Sequence, residues 1–240
     1  MAGHSKWKNI MHKKEKTDAQ RAKVFTKIGK EIAIAVKEGG SDPTSNSKLR
    51  DLIQKAKSNN VPNDNIERVI KKAEGSEGES YEAITYEGYG PSGIAVIVET
   101  TTDNRNRTGA DMRHYFDKYG GNLGTTGCVS FMFSDKGVIV IESEGINEDK
   151  LFEDSIDCGA EDVLNEDEIF EILTAPSDFE QVRKALYDKG YVFLSAEIEK
   201  RPATYVTVTD EESVTKMNKL LEMLEDNDDV QNVWHNWENE

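Results

Sequence analysis

Residues 137–200, GVIVIESEGINEDKLFEDSIDCGAEDVLNEDEIFEILTAPSDFEQVRKALYDKGYVFLSAEIEK, decide the fold. Short β-branched runs alternate here with segments whose apolar residues recur at helical spacing. The order predicted is strand (138–142), helix (147–158), strand (161–164), strand (168–174), helix (178–189), strand (191–199). That is βαββαβ, the split ferredoxin-like arrangement.

Outward from this stretch, strands are predicted near 82–88, 94–101 and 128–133, with a helix over 107–119. On the far side come a strand (204–209), a helix (211–226) and a strand (229–234). Those last three elements lack a partner half, and the βαβ of 94–133 supplies one. The expected architecture is α+β: a basic three-helix domain (1–75), a discontinuous ferredoxin-like domain (81–134 plus 203–240), and an acidic ferredoxin-like domain (136–201) inserted into it.

The helical head follows from its punctuation. Thr17-Asp18-Ala19-Gln20 has the capping-box pattern, and a helix should run from there to about Lys37, stopped by Gly39-Gly40. Val24, Phe25, Ile28, Ile32, Ala35 and Val36 fall within one arc, with Lys23, Lys27, Lys30 and Lys37 roughly opposite. Asp42-Pro43 opens a second helix over about 44–58, and Pro62 with Asp64-x-x-Glu67 opens a third. Residues 74–80, rich in Gly, Ser and Glu, read as a linker.

Charge divides along the same boundary. The chain carries a net charge of −16, yet its first 30 residues hold nine Lys/Arg against two acids. Residues 1–74 carry 17 Lys/Arg and 9 Asp/Glu; residues 75–240 carry 13 and 37. A concentrated positive head is a candidate polyanion surface, because neutralised phosphates release counterions. Its candidate ligands are Lys6, Lys8, His12, Lys13, Lys14, Lys16, Arg21, Lys23, Lys27 and Lys30. Trp7, set between two lysines, can stack on an unpaired base. A solvated basic tail and lysine face is the plainer reading of the same residues.

Other classes are excluded or disfavoured. No apolar run approaches the ~20 residues that span a bilayer. The N-terminus has no apolar h-region of a secretory signal. Cys128 and Cys158, the only cysteines, have no CxxC partner, which fits a reducing compartment and argues against a metal site or a disulfide framework. The cytoplasm is the expected location. No grouping of nucleophile, base and acid stands out, so no enzyme and no cofactor are expected.

Three loops and segments merit weighing. Residues 100–108, TTTDNRNRT, join a strand to a helix N-terminus, where Arg105 and Arg107 could meet a second phosphate; capping and local ion pairs are the alternative. Residues 119–127 hold four glycines but no Gly-Lys-Ser/Thr, so turns explain them better than a P-loop. Residues 142–171 carry 13 acids against Lys150, without the alternating ligand pattern of a cation loop.

GHSKWKNIMHKKEKTDAQRAKVFTKIGKEI and GGSDPTSNSKLRDLIQKAKSNNVPNDNIERVIKKAEG resemble the N-terminal signature of the YebC family. YEGYGPSGIAVIVETTTDNRNRT and GGNLGTTGCVSFMF resemble its central signatures, and the likeness spans essentially the full chain. The resemblance implies a three-helix domain followed by two ferredoxin-like domains, nucleic-acid binding and regulation of gene expression. Family members have been described as DNA-binding transcriptional regulators and as translation factors, among them a mitochondrial activator of a cytochrome oxidase subunit and bacterial ribosome-associated relatives that relieve stalling at proline-rich stretches. The family's residues map onto Lys6, Trp7, Lys13, Lys14, Asp18, Arg21 and Lys27, and onto Asn104, Arg105 and Arg107.

Two functions stay open. In the first, the chain is a ribosome-associated translation factor whose basic head meets ribosomal RNA. In the second it is a DNA-binding transcriptional regulator, with Arg68, Lys71 and Lys72 as possible readers. No dimerisation heptad is present to fix half-site spacing. An acidic protein-interaction module without nucleic acid is a third class.

Overall fold

The apolar arc of the first helix meets two short partners. A computed structural model describes residues 18–75, 80–166 and 168–238. In it, α1 (Asp18–Gly39) lays Ile28, Ile32, Ala35 and Val36 against α2 (Ser47–Ser58) and α3 (Asn63–Glu74). Leu49 and Ala56 of α2 and Ile66 and Ala73 of α3 complete that core. Gly40 ends α1 in the left-handed region at φ +83°, donating to the Val36 carbonyl at 2.8 Å. Asp42-Pro43 does not open α2. Asp42 instead accepts the Thr44 N–H at 2.9 Å in a turn, and Asn46 is the cap. Buried Asn46 accepts the Leu49 N–H at 3.0 Å and donates to the Ala35 and Gly40 carbonyls at 2.8 Å each, tying the end of α1 to the start of α2.

The described residues fall into two compact units, one of 18–129 and 209–235, the other of 130–208 and 236–238. Beyond the three helices, the first unit contains β1 (Glu82–Tyr89), β2 (Ala95–Thr102), α4 (Arg105–Lys118), β3 (Asn122–Leu123), α7 (Glu211–Asp226) and β9 (Val230–His235). Its sheet is antiparallel throughout in the order β3-β1-β2-β9, with Val98 of β2 opposite Tyr86 of β1 and Val233 of β9. Met112 and Phe116 of α4 and Met217, Leu220 and Leu224 of α7 are fully buried.

This sheet has the ferredoxin-like strand order by an unexpected route. The strand between β2 and β3 is β1, which comes from upstream in the chain instead of between the two βαβ halves. The predicted strand at 128–133 does not form. Ser130–Met132 is a 3-10 turn, because the Gly127 and Val129 amides are already taken by the buried Glu87 carboxylate at 2.8 and 3.0 Å. The strand predicted at 204–209 shrinks to β8 (Val206–Thr207), which pairs in parallel with β10 (Trp237–Glu238) outside the sheet.

The second unit runs β4 (Phe133–Glu142), α5 (Glu148–Cys158), β5 (Asp162–Glu166), β6 (Ile169–Thr174), α6 (Phe179–Asp188), β7 (Ser195–Pro202). The strands order as β5-β6-β4-β7, all antiparallel, the βαββαβ arrangement in consecutive chain order. One face carries Ile139, Ile141, Phe170 and Ile172 into a core with Leu151, Val182 and Leu186 of the helices. Gly137 lies in the middle of β4, where a Cβ would sit 2.2 Å from Thr174 Oγ1 and 2.6 Å from the Phe179 ring.

Candidate nucleic-acid interface

Lys23, Lys27 and Lys30 lie on one face of α1, as their spacing requires, and that face is occupied. Lys23 pairs with the Asp226 carboxylate at the last residue of α7. Lys27 Nζ donates to the Glu225 carbonyl at 2.7 Å, and Lys30 Nζ to the Asp228 carbonyl at 2.9 Å and to Asp229 Oδ1 at 2.6 Å. The three ammoniums thus cover the carbonyl end of α7, where a helix leaves acceptors unsatisfied and carries partial negative charge. Burial pushes the Lys27 ammonium below its usual pKa, against the pull of Glu225 and Asp228. Lys23 and Lys27, expected in a basic stripe opposite the apolar arc, thus lie against the end of α7, Lys23 on the Asp226 carboxylate and Lys27 on the Glu225 backbone carbonyl.

Asp229 is the hub of this contact. It is 4% exposed, and its carboxylate accepts Lys30, Arg107 Nη2 at 2.8 Å, Thr108 Oγ1 at 2.7 Å and Thr102 Oγ1 at 3.2 Å. Burial alone would raise its pKa, but the bonds from Arg107, Lys30 and Thr108 outweigh it and hold the group at about 2. Its backbone carbonyl takes the Thr101 N–H at 2.7 Å. The hub therefore joins α1, the end of β2, the first turn of α4 and the α7–β9 turn.

The 100–108 loop is largely satisfied from within. Asn104 caps α4, its Oδ1 accepting the Arg107 N–H at 3.1 Å, while its own N–H goes to Thr102 Oγ1 at 2.9 Å. Arg107 is split between Asp103 and Asp229, each at 2.8 Å. Arg105 is exposed and makes no ion pair among the described residues. Of the glycines of 119–127, Gly120 at φ +77° and Gly127 at φ +89° serve turns, while a Cβ at Gly121 would lie 2.5 Å from the Tyr89 carbonyl oxygen and one at Gly124 2.5 Å from Cys128 Sγ.

Lys6, Trp7, Lys8, His12, Lys13, Lys14 and Lys16 lie outside the described residues, as does the Arg21 side chain. Asp229, Thr102 and Thr108 are site residues that sequence reasoning missed. The Asn227-Asp228-Asp229 turn after α7 was a visible acidic signal, but nothing local tied it to a lysine 199 positions away. Among the described residues no group of three or more His, Cys, Asp or Glu could hold a metal ion. No helix among them is long and apolar enough to cross a membrane.

A three-helix head joined to α+β units of ferredoxin-like strand order defines a class, and the comparisons name the family. Residues 5–76 match the TACO1/YebC protein N-terminal domain, and residues 81–237 the TACO1/YebC second and third domain. The chain belongs to the TACO1/YebC family. A "probable transcriptional regulatory protein" of Acetivibrio thermocellus is 63% identical over 239 residues, covering 99% of both chains. One of the same name from Finegoldia magna is 54% identical over 241 residues, covering 100% of both. The crystal structure of a conserved hypothetical protein, Aq1575, from Aquifex aeolicus superposes with a TM-score of 0.85 at 46% identity, over 93% of each chain.

Proposed function

We propose that this chain is a nucleic-acid-binding regulator of gene expression, acting as a ribosome-associated translation factor that touches ribosomal RNA through its basic head. The observation that carries the reading is the charge division: 17 Lys/Arg against 9 acids in residues 1–74, and 13 against 37 beyond. A small cationic module enters an RNA crevice while the acidic body is repelled from phosphate. With Lys23, Lys27 and Lys30 turned to α7, the working cations are those ahead of α1 together with Arg68 and Lys71 of α3, which are exposed and make no ion pair among the described residues. Trp7 suits a splayed RNA base. Relief of stalling at proline-rich stretches is the mode of action that the family resemblance brings.

Sedimentation of crosslinked lysate through a sucrose gradient tests this. The protein is expected with ribosomal particles during active translation. Its remaining at the top of the gradient would sink the proposal.

The relatives' name, probable transcriptional regulatory protein, favours a second reading, in which the chain regulates transcription by binding DNA. On that reading α3 offers Arg68, Lys71 and Lys72 to a groove. Binding to promoter DNA against competitor DNA at about 150 mM salt separates the two, because non-specific phosphate attraction is weak there. Equal affinity for both DNAs removes the sequence-specific regulator.

A further inference from the structure

α1 and α3 do not close completely on each other. Between them lies an open cleft of about 260 Å³, walled by Phe25 and Ile28 of α1, Ile66 and Val69 of α3, and Tyr81 beyond the linker. It lies just below the ~300–1,000 Å³ usual for drug-sized ligand pockets, a size for one flat ring system. Arg68 and Lys72, one turn apart on α3, stand on its rim.

Gly29 of α1 lines the cleft. Gly29 sits in the middle of the 22-residue α1, where glycine is the least favourable residue after proline. Its φ is not left-handed, and a Cβ there would meet only Val69 Cγ2, at an ordinary 3.7 Å. Neither backbone conformation nor close packing calls for glycine. A methyl is accommodated there, whereas a longer side chain would extend into the cleft beside Val69.

From this we infer that the α1–α3 cleft receives an unpaired nucleobase of single-stranded RNA, with a flanking phosphate on Arg68. The inference rests on the nucleic-acid reading above and gives it a second contact point on the head. Apolar and aromatic walls suit any base, since every base has a π-face, and a cationic rim on one side suits its backbone. The opposite end fixes the polarity. Beside Thr26, Lys30 and Tyr81 lies a polar recess lined by Asp103, Asp111, Asp228 and Asp229 against Lys30 and Arg107, so carboxylates outnumber cations there and disfavour phosphate. The backbone therefore runs along α3.

The test uses the full chain and a 12-nucleotide single-stranded RNA carrying one 4-thiouridine. Irradiation and peptide mapping should place crosslinks within Phe25–Ala33, within Arg68–Ala73 or at Tyr81. Gly29→Leu fills the cleft and should weaken single-strand binding roughly tenfold or more, the effect of one lost stacked base, without changing the salt slope. Gly29→Ala, whose methyl fits, should bind as wild type. Arg68→Ala should flatten the slope of log K against log salt by about 0.7. If wild type binds the RNA but crosslinks arise only elsewhere, in residues 1–17 for example, and Gly29→Leu binds normally, the cleft is no base site while the nucleic-acid reading survives. If wild type binds no single-stranded RNA even at low salt, both fall.

Discussion

The lysines of α1 and the cations of α3 belong to one small bundle and meet opposite surroundings. Lys23, Lys27 and Lys30 reach across to the carbonyl end of α7 and to Asp229, and Lys30 is left with a side chain only 12% exposed. Arg68 and Lys71 project from α3 with no ion pair among the described residues. A basic stripe on a helical wheel thus has two quite different fates. On α1 it is bonded to the end of α7 and to Asp229; on α3, Arg68 and Lys71 stay exposed, as the proposed polyanion contact requires. The pairing partner decides which, and the partner lies far along the chain.

The largest effect should come from cutting the α1 attachment at its centre. Asp229→Ala leaves Lys30 and Arg107 facing a partner that is gone, and removing one member of a buried ion pair costs about 3–5 kcal/mol. Urea unfolding followed by circular dichroism should register a loss of that order. A loss within 0.5 kcal/mol would show that the hub holds nothing together.

Acid should loosen the same attachment. The carboxylate of Asp229 is depressed to about 2 from an ordinary 3.8, so its contribution is full above pH ~4 and fades as pH falls toward 2. The linked stability is on the order of 2 kcal/mol. Comparing wild type with Asp229→Asn between pH 5 and 2 isolates it: the variant should lack that part of the acid dependence.

Lys27→Ala should be milder. It removes a half-buried bond to the Glu225 carbonyl and one counter-charge at the end of α7, together about 1 kcal/mol. The thermal midpoint should fall by a few degrees. No shift would mean that Lys27 is a bystander, available for phosphate after all.

The smallest expected change in stability is on α3. Lys71→Ala should stay within about 0.5 kcal/mol of wild type, as for most exposed substitutions. Its signature is in binding, a salt slope flatter by about 0.7 on single-stranded RNA. If Lys27→Ala and Lys71→Ala exchanged these behaviours, the division between holding face and binding face would be reversed.

Much of this was legible in the sequence. The period of the helices and the βαββαβ order of 133–202 are local properties, and local periodicity carries them. What was not legible is pairing between distant segments. The alternation of Cys128-Val129-Ser130-Phe131-Met132-Phe133 looks like a strand, but Glu87 captures the loop's amides and leaves Phe131 75% exposed on a turn. The Glu82–Tyr89 strand was recognisable, whereas its place between β2 and β3 depends on which edge it meets. For the site, the lysine face on α1 was visible and its acidic counterpart was not, since side-chain period says nothing of a partner 199 residues away.

The placement of β9 has a consequence for how the protein is made. One edge of β2 is paired by Val230–His235, and Lys30 of α1 by Asp229, so both wait for a segment ~130 residues further along the chain than β2. At about 5–20 residues per second, the ~130 residues separating β2 from β9 take roughly 6–25 s to emerge. Through that interval β2 offers a bare, strongly apolar edge, Ala95-Val96-Ile97-Val98, of the kind that invites pairing with a neighbouring chain. A nascent chain truncated before Val230 would keep that edge permanently. Such a fragment is expected to be sticky in a way that a fragment ending after His235 is not.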